Sequence, residues 1–439
     1  MIRIWEGLDV MELAPVIVLT YKRWGHTKQT LDALANNFLA KATDVYIFSN
    51  APNCEKDNDE IQSVNLVRKS LKQYINKFKT CHIIEREKHL QCNDSICSAI
   101  DQVFKEYTKI IIIEDDIITS KNFLNFMNMA LDFYKFNLKI WNIVSYNPYK
   151  LEIEQGEYDS FITRSFMPWG WGVWKDRWEM VDWDRKREHL LEIDFYDAKL
   201  YMPLFELAIK RDIMKGNQYM YWDYIYSCSQ LRLKMNTVFP LKSLSRNIGN
   251  DGSGETERNI ENRLVQIDFQ INNDQQKFNF SDIQLTDEIA KEFANSLYYR
   301  EKRSLENIEA FNKRFWFYIW LSLKNKNISI ESYFLKRGFR SVAIYGMGYA
   351  GEILYEDLSN AKVYVKYVVD RSNFVNLNGI IVHSLNDELE NVDVIIVTVT
   401  SSFDEIKIFL TKKLLCPIVS LEEVLFQCAL DNSDKVSFV

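Results

Sequence analysis

No stretch of this chain carries the run of about 18 apolar residues that would span a bilayer as a helix. Its start lacks a basic segment followed by an apolar run, so no signal peptide is expected. There is no surplus of positive charge either. Lys and Arg number 54 against 61 Asp and Glu, for a net charge of −7. That argues against general nucleic-acid binding and leaves room only for a local basic patch. Seven cysteines form an odd set with no C-x-x-C pair. They read as free thiols of a reducing cytoplasm rather than a disulfide framework. Five histidines, His26, His82, His89, His189 and His383, are scattered without metal-ligand spacing. Zinc chemistry and Ser-His-Asp chemistry therefore have no support. Glycine and proline are few, 14 and 7, which reads as compositional bias more than function.

What is present points to a folded, multidomain enzyme. A hydrophobic share of 47% with 14% aromatics separates the chain from disordered ones. At 439 residues it exceeds one typical core, so two or three domains are expected. The most informative stretch is Ile110-Ile111-Ile112-Ile113-Glu114-Asp115-Asp116. Four β-branched residues without alternation suit a strand buried on both faces. Three adjacent acids repel one another and cannot all be buried unpaired. A cation at the strand end would resolve this, and hard oxygen ligands suit Mg²⁺ or Mn²⁺ holding a diphosphate. The bland alternative is an acidic surface turn.

Upstream, Pro15 to Thr20 reads as a strand followed by Tyr21-Lys22-Arg23. A helical stretch with Leu31, Leu34 and Phe38 comes next, then a strand from Asp44 to Phe48 ending at Ser49-Asn50. Strand, helix, strand opens an α/β sheet. Ligands of such sheets bind beyond the C-terminal strand ends, which gathers Thr20, Tyr21, Arg23, Asn50 and the acids at one edge.

Several pieces in one order carry a resemblance. They are the first strand with Arg23, Ser98 to Phe104 leading into Glu114-Asp115-Asp116, and the aromatics Phe123 and Phe126. Ser165 to Trp171, Tyr221-Trp222-Asp223, Pro240, and Ser245-Arg246 before a glycine-rich loop complete the set. In these the chain resembles GT-A glycosyltransferases, specifically N-acetylglucosaminyltransferase I and bacterial enzymes of similar build. The resemblance implies a GT-A domain over 1–265, a UDP-sugar donor and a glycan or lipid-linked acceptor. It also implies Asp116 as ligand of Mn²⁺ or Mg²⁺, with Glu114 on sugar hydroxyls and Asp115 orienting the ribose or the ion's water. The setting implied is bacterial surface polysaccharide synthesis, in the cytoplasm or at the inner face of the membrane. One departure stands out. Such sequences carry a His after the loop glycines, and here Glu255-Thr256 follow.

The residues add their own chemistry. Indole faces make good sugar platforms, so Trp169 and Trp171 are expected in the pocket wall, or else in a core turn. Trp174 and Trp178, four apart, are expected in the core. Asp223 stands among aromatics in Tyr219 to Tyr224. A carboxylate in an apolar setting has a raised pKa and can serve as a general base near neutral pH. The alternative is a cap on a helix over 224–234. Both roles are compatible. Residues 244–254 read as a mobile loop closing on the donor, with Arg246 on a phosphate, or as a plain surface loop.

The remainder changes character. Residues 266–335 read as a helical linker. Within it Phe315 to Leu321, flanked by Lys and Arg, would lie at a membrane interface or, the blander reading, pack between domains. Residues 336–439 form a second α/β unit. A strand over 341–345 leads into Gly346-x-Gly348-x-x-Gly351, and a second strand ends in Asp370. That spacing matches a dinucleotide fingerprint and the unit resembles Rossmann-like domains. It would bind a nucleotide or serve as an oligomerisation or partner module, with a homo-oligomer one outcome. Two other functions stay open: a bifunctional or NAD-binding redox protein, and a non-catalytic carbohydrate-binding module.

Overall fold

The computed structural model describes residues 12–53, 58–147, 158–183, 201–202, 221–249, 251, 253, 275–280, 305–371 and 380–432. The chain divides into two compact units, one holding the elements up to residue 280 and one beginning with the helix at Leu305. The stretch 266–335, expected as a linker, is thus shared between them.

In the first unit the order begins β1 (Val16–Thr20), α1 (Trp24–Ala35), β2 (Asp44–Ser49), α2 (Asn58–Leu71), β3 (Thr80–Glu85), α3 (Cys92–Val103) and β4 (Lys109–Glu114). Then follow β5 (Ile117–Thr119), α4 (Phe123–Phe133), β6 (Ile140–Val144), β7 (Ser160–Thr163), β8 (Trp171–Trp174) and α5 (Lys175–Trp178). The unit continues with α6 (Trp222–Leu233), β9 (Asn236–Pro240) and β10 (Ser245–Asn247). One sheet runs β3-β2-β1-β4-β8-β6-β9-β7, and β5 pairs with β10 in a separate ribbon. The first four strands are parallel. Antiparallel β8 then begins a mixed half. The four isoleucines of β4 are fully buried, Ile111 and Ile113 in a core shared with α1, α2 and α4. Leu31 and Leu34 of α1, Val67 and Leu71 of α2, and Phe123, Met127 and Leu131 of α4 fill that core. Phe278 returns from later in the chain to pack edge-on against Phe126, at 5.1 Å.

The second unit contains α7 (Leu305–Asn325), α8 (Glu331–Lys336), β11 (Ser341–Tyr345), α9 (Tyr349–Ser359), β12 (Tyr364–Val369) and β13 (Ile381–His383). It ends with β14 (Val394–Val397), α10 (Phe403–Thr411), β15 (Ile418–Ser420) and α11 (Leu421–Leu430). Its all-parallel sheet runs β13-β12-β11-β14-β15, the doubly wound order. The aromatic run in α7 belongs to this unit's core. Phe315, Trp316, Ile319, Trp320 and Leu323 are buried, a helical face set against α11, where Trp316 meets Phe426. Trp320 Nε1 donates to Asp357 Oδ2 at 2.8 Å. One side of the segment is thus packed within this unit, while Phe317 and Leu321 on the other side are exposed. Among the described residues no helix is long and apolar enough to cross one.

Candidate functional site at the C-terminal sheet edge

Register aligns three strand ends. Leu19 of β1 lies opposite Glu114 of β4 and Phe48 of β2, and Thr20 lies opposite Ser49. The chain winds from β1 to β3 in one direction and then crosses to β4 on the other side of β1. The strand order therefore reverses between β1 and β4. That reversal leaves a crevice, the place where open α/β sheets bind ligands. Arg23 and the acids stand at its two sides.

The acids are held by a cation of the chain itself. Arg23 Nη2 donates to Asp115 Oδ1 in a short contact and to Asp116 Oδ2 at 2.7 Å. Burial pulls the Arg23 pKa down, but the two carboxylates outweigh it and leave it above its ordinary value. Thr30 Oγ1 donates to the Asp115 carbonyl at 2.9 Å, which fastens the acidic turn to α1. Burial pushes Asp115 up, and Arg23 opposes that rise. Glu114 is raised as well, by burial first and then by Asp116, Asp115 and Asp223. Its carboxylate makes no hydrogen bond among the described residues. Arg23 Nη1 is buried and has no hydrogen-bond partner among them either.

A ribbon far along the chain roofs this cluster. Asn247 pairs with Ile117, and beyond it Ile248 N donates to the Asp116 carbonyl at 2.8 Å. Gly249 follows. A Cβ there would stand 2.2 Å from Asp116 Oδ2 and 3.1 Å from Arg23 Nη1, so only glycine lets the backbone lie this close. Ser245 Oγ donates to the Trp169 carbonyl at 2.6 Å and meets Ser145 Oγ at 2.6 Å. Arg246, between these anchors, is exposed to solvent. Asp251 Oδ2 reaches His26 Nε2 of α1 at 3.1 Å. Residues 250, 252 and 254, part of the expected closing loop, lie outside the described residues, as do Glu255 and Thr256.

Asp223 enters from the other side, in the first turn of α6. It does not cap that helix. Tyr221 is the N-cap residue, and Trp222 N donates to Asn93 Oδ1 of α3 at 2.7 Å. The first turn of a helix favours a carboxylate, and the N–H groups of Asp223 and Tyr224 pull its pKa down, but burial wins and lifts it to about 6. Trp171 is a core residue rather than a pocket wall. It is buried in β8 and stacks on Trp222 at 5.4 Å, with Phe166, Trp178 and Tyr226 around it. Trp222 is likewise buried, so both support the backbone that presents Asp223. Trp178 and Trp174 are in the core as expected, and Trp178 Nε1 donates to Asp101 at 2.8 Å. Trp169 remains half-buried, 4.7 Å from the Tyr146 ring.

The other strand ends are more constrained than their sequence suggested. Thr20 Oγ1 donates to the Phe48 carbonyl. The Tyr21 hydroxyl donates to buried Glu60 in a short contact, and its ring meets His89 at 5.2 Å. Asn50 is buried, and its amide is taken up in clamping the loop before α3. Its Nδ2 donates to Leu90 O at 2.8 Å, and its Oδ1 accepts from Leu90 N and Ala51 N, each at 3.0 Å. It shapes the edge between β2 and α3. Glu60, Asn93 and Gly249 carry structure here that sequence reasoning missed. Gly249 alone had a local signal, its place at the head of the glycine cluster.

Among the described residues, no three of His, Cys, Asp and Glu converge to hold a metal ion. An ion supplied with a diphosphate needs fewer protein ligands, one or two carboxylates. Asp116 fits that need, since its Arg23 contact engages only Oδ2. In the second unit the turn has the glycine geometry of a dinucleotide fingerprint, with Gly346 at φ +90°. Met347 N donates to Asp370 Oδ2 at 2.6 Å, which ties the turn to the acid that would hold a ribose. Val399 and Thr398 close on Gly346, leaving a Cβ there only 2.5 Å from Val399 Cγ2. Gly351 packs on the Gly346 carbonyl, and only Gly348 faces open space.

No family model matches the sequence, and no curated protein does. Among solved structures, the chain is similar to S. aureus TarS with a TM-score of 0.24 and 14% identity. That match covers 34% of this chain and 24% of the other, an extent that carries no argument about fold or activity.

Proposed function

We propose that the first unit is an inverting glycosyltransferase acting on a nucleoside-diphosphate sugar, UDP-linked, with a glycan or lipid-linked glycan hydroxyl as acceptor. One observation carries the reading. A carboxylate with a pKa near 6, Asp223, stands close enough to Glu114 to raise it, beside a cation-bridged acid pair in the crevice of an α/β sheet.

At neutral pH Asp223 is mostly ionised yet basic enough to accept a proton. It takes the proton of the acceptor hydroxyl as that oxygen bonds to the anomeric carbon. The bond from that carbon to the diphosphate oxygen breaks on the opposite face, and the departing electron pair leaves on the nucleotide. Arg23 Nη1, buried without a partner, is the chain's own donor for the charge that develops there. The Glu114 carboxylate has no hydrogen-bond partner among the described residues and meets the sugar hydroxyls. A divalent ion on Asp116, when bound, neutralises the diphosphate. A plain binding module has no use for a carboxylate whose surroundings oppose its ionisation.

A panel of UDP- and other nucleotide sugars, incubated with the full chain and Mn²⁺ or a chelator, tests the proposal. Hydrolysis or transfer with one donor, with inverted anomeric configuration by NMR, is expected. Failure of every nucleotide sugar to bind or react refutes it.

A further inference from the structure

Helix α10 of the second unit is apolar on both sides. Its inner side is accounted for, since Ile406 and Leu410, with Leu414 after them, are buried in the core over the sheet. Its outer side is not. Ile408 is 61% exposed, Phe409 is exposed, and Leu415 just beyond the helix is 98% exposed. Lys407, Lys412 and Lys413 stand exposed among them. No acid occurs from Ile406 to Ser420. The helix's own acids, Asp404 and Glu405, are exposed in its first turn, one turn before Ile408 and Phe409.

The lysines are not there to neutralise the protein. Lys413 Nζ binds the carbonyls of Leu385 and Asp387 and lies over the Phe409 ring. Lys407 Nζ lies 5.4 Å over the Phe403 ring. Lys413 also draws on the Asp387 carboxylate, whereas Lys407 and Lys412 have no ion-pair partner among the described residues. The patch is thus cationic on a chain whose net charge is −7, so its complement is an anionic surface. Its shape is a projection, with Leu415 at the tip almost wholly in water. A projection of that kind suits a yielding medium rather than a preformed groove.

We propose that this face rests on an anionic membrane surface. Ile408, Phe409 and Leu415 enter the headgroup boundary, and Lys407 and Lys412 meet lipid phosphates, as amphipathic interfacial segments do. The contact stands independently of the glycosyl-transfer reading, and it places membrane attachment at residues 407–415.

Vesicle sedimentation of the full chain tests it. Binding is expected to vesicles of phosphatidylcholine with a minor share of phosphatidylglycerol, little to phosphatidylcholine alone, and less as salt rises. The pair Ile408→Ser with Leu415→Ser and the pair Lys407→Glu with Lys412→Glu should each weaken binding at least about tenfold. If the serine pair unfolds, the charge-reversal pair decides, since it alters only exposed side chains. No binding to anionic vesicles, or binding unchanged by the folded variants, overturns the proposal. Self-association lost in the serine variant, without vesicle binding, assigns the face to a second copy and overturns it too.

Discussion

Replacing Asp223 by Asn should stabilise the protein while disabling it. The carboxyl group's pKa stands at about 6 against an ordinary 3.8. Holding it ionised at pH 7.5 then costs at most about 3 kcal/mol, from about 1.36 kcal/mol per pH unit of displacement. Solvent still reaches this half-buried group, so about 1–2 kcal/mol is the expected gain on removing the charge. For a unit of this size that raises the Tm by roughly 3–6 °C. The sign follows from linkage. A carboxyl raised on folding contributes fully below its unfolded value and loses that contribution as pH climbs through the folded value. The difference between Asn variant and wild type should therefore vanish near pH 4, grow between pH 4 and 6, and stay constant above. Asn keeps the oxygen that accepts from Tyr224 N, so the exchange tests charge and little else. Calorimetric scans at several pH values read the stability, and donor turnover should fall by about 10²-fold or more. Equal or lower stability of the variant at pH 7.5 refutes the buried-charge argument. Retained turnover refutes the base.

Asp116→Ala should abolish Mn²⁺-dependent UDP binding in calorimetry without unfolding the chain, and unchanged affinity there would sink the metal assignment. Gly249→Val should lower donor affinity by about tenfold or more, because its side chain must displace the Asp116 carboxylate, a one-kcal-scale loss or greater. Equilibrium binding reads it directly. Trp171→Ala should destabilise the first unit by about 3–5 kcal/mol through its cavity, visible as a lower denaturation midpoint, with turnover falling as Trp222 loses its stacking partner. Gly348→Trp should keep transfer within a few-fold of wild type, since that position faces open space. A collapse of activity in the folded variant would bring the second unit into the reaction.

The strands at the site were legible because their signals are local. Ile110–Ile113 has no polar alternation, and acids that follow such a run must lie at its end. The second unit's strands and its glycine turn announced themselves in the same way. The partners of the site residues were not legible. Nothing near Asn50 reveals that Leu90 will claim its amide, and nothing near Asp370 reveals that Met347 N will claim its carboxylate. Trp169 and Trp171 look alike in sequence, yet β8 turns one inward to Trp222 and leaves the other half-buried. Side-chain direction there depends on register with β4 and β6, a property of chain segments far apart.

The ribbon of β5 and β10 has a consequence for how the chain matures. The parallel strands β3-β2-β1-β4 and their helices come from one continuous N-terminal stretch. The acids at the end of β4 are therefore synthesised well before the residues that surround them. Their roof at Ile248 and Gly249 and their partner Asp223 arrive only with α6 and β10. Until β10 pairs with β5, the acidic turn has neither the Ile248 amide on the Asp116 carbonyl nor Gly249 against its carboxylate.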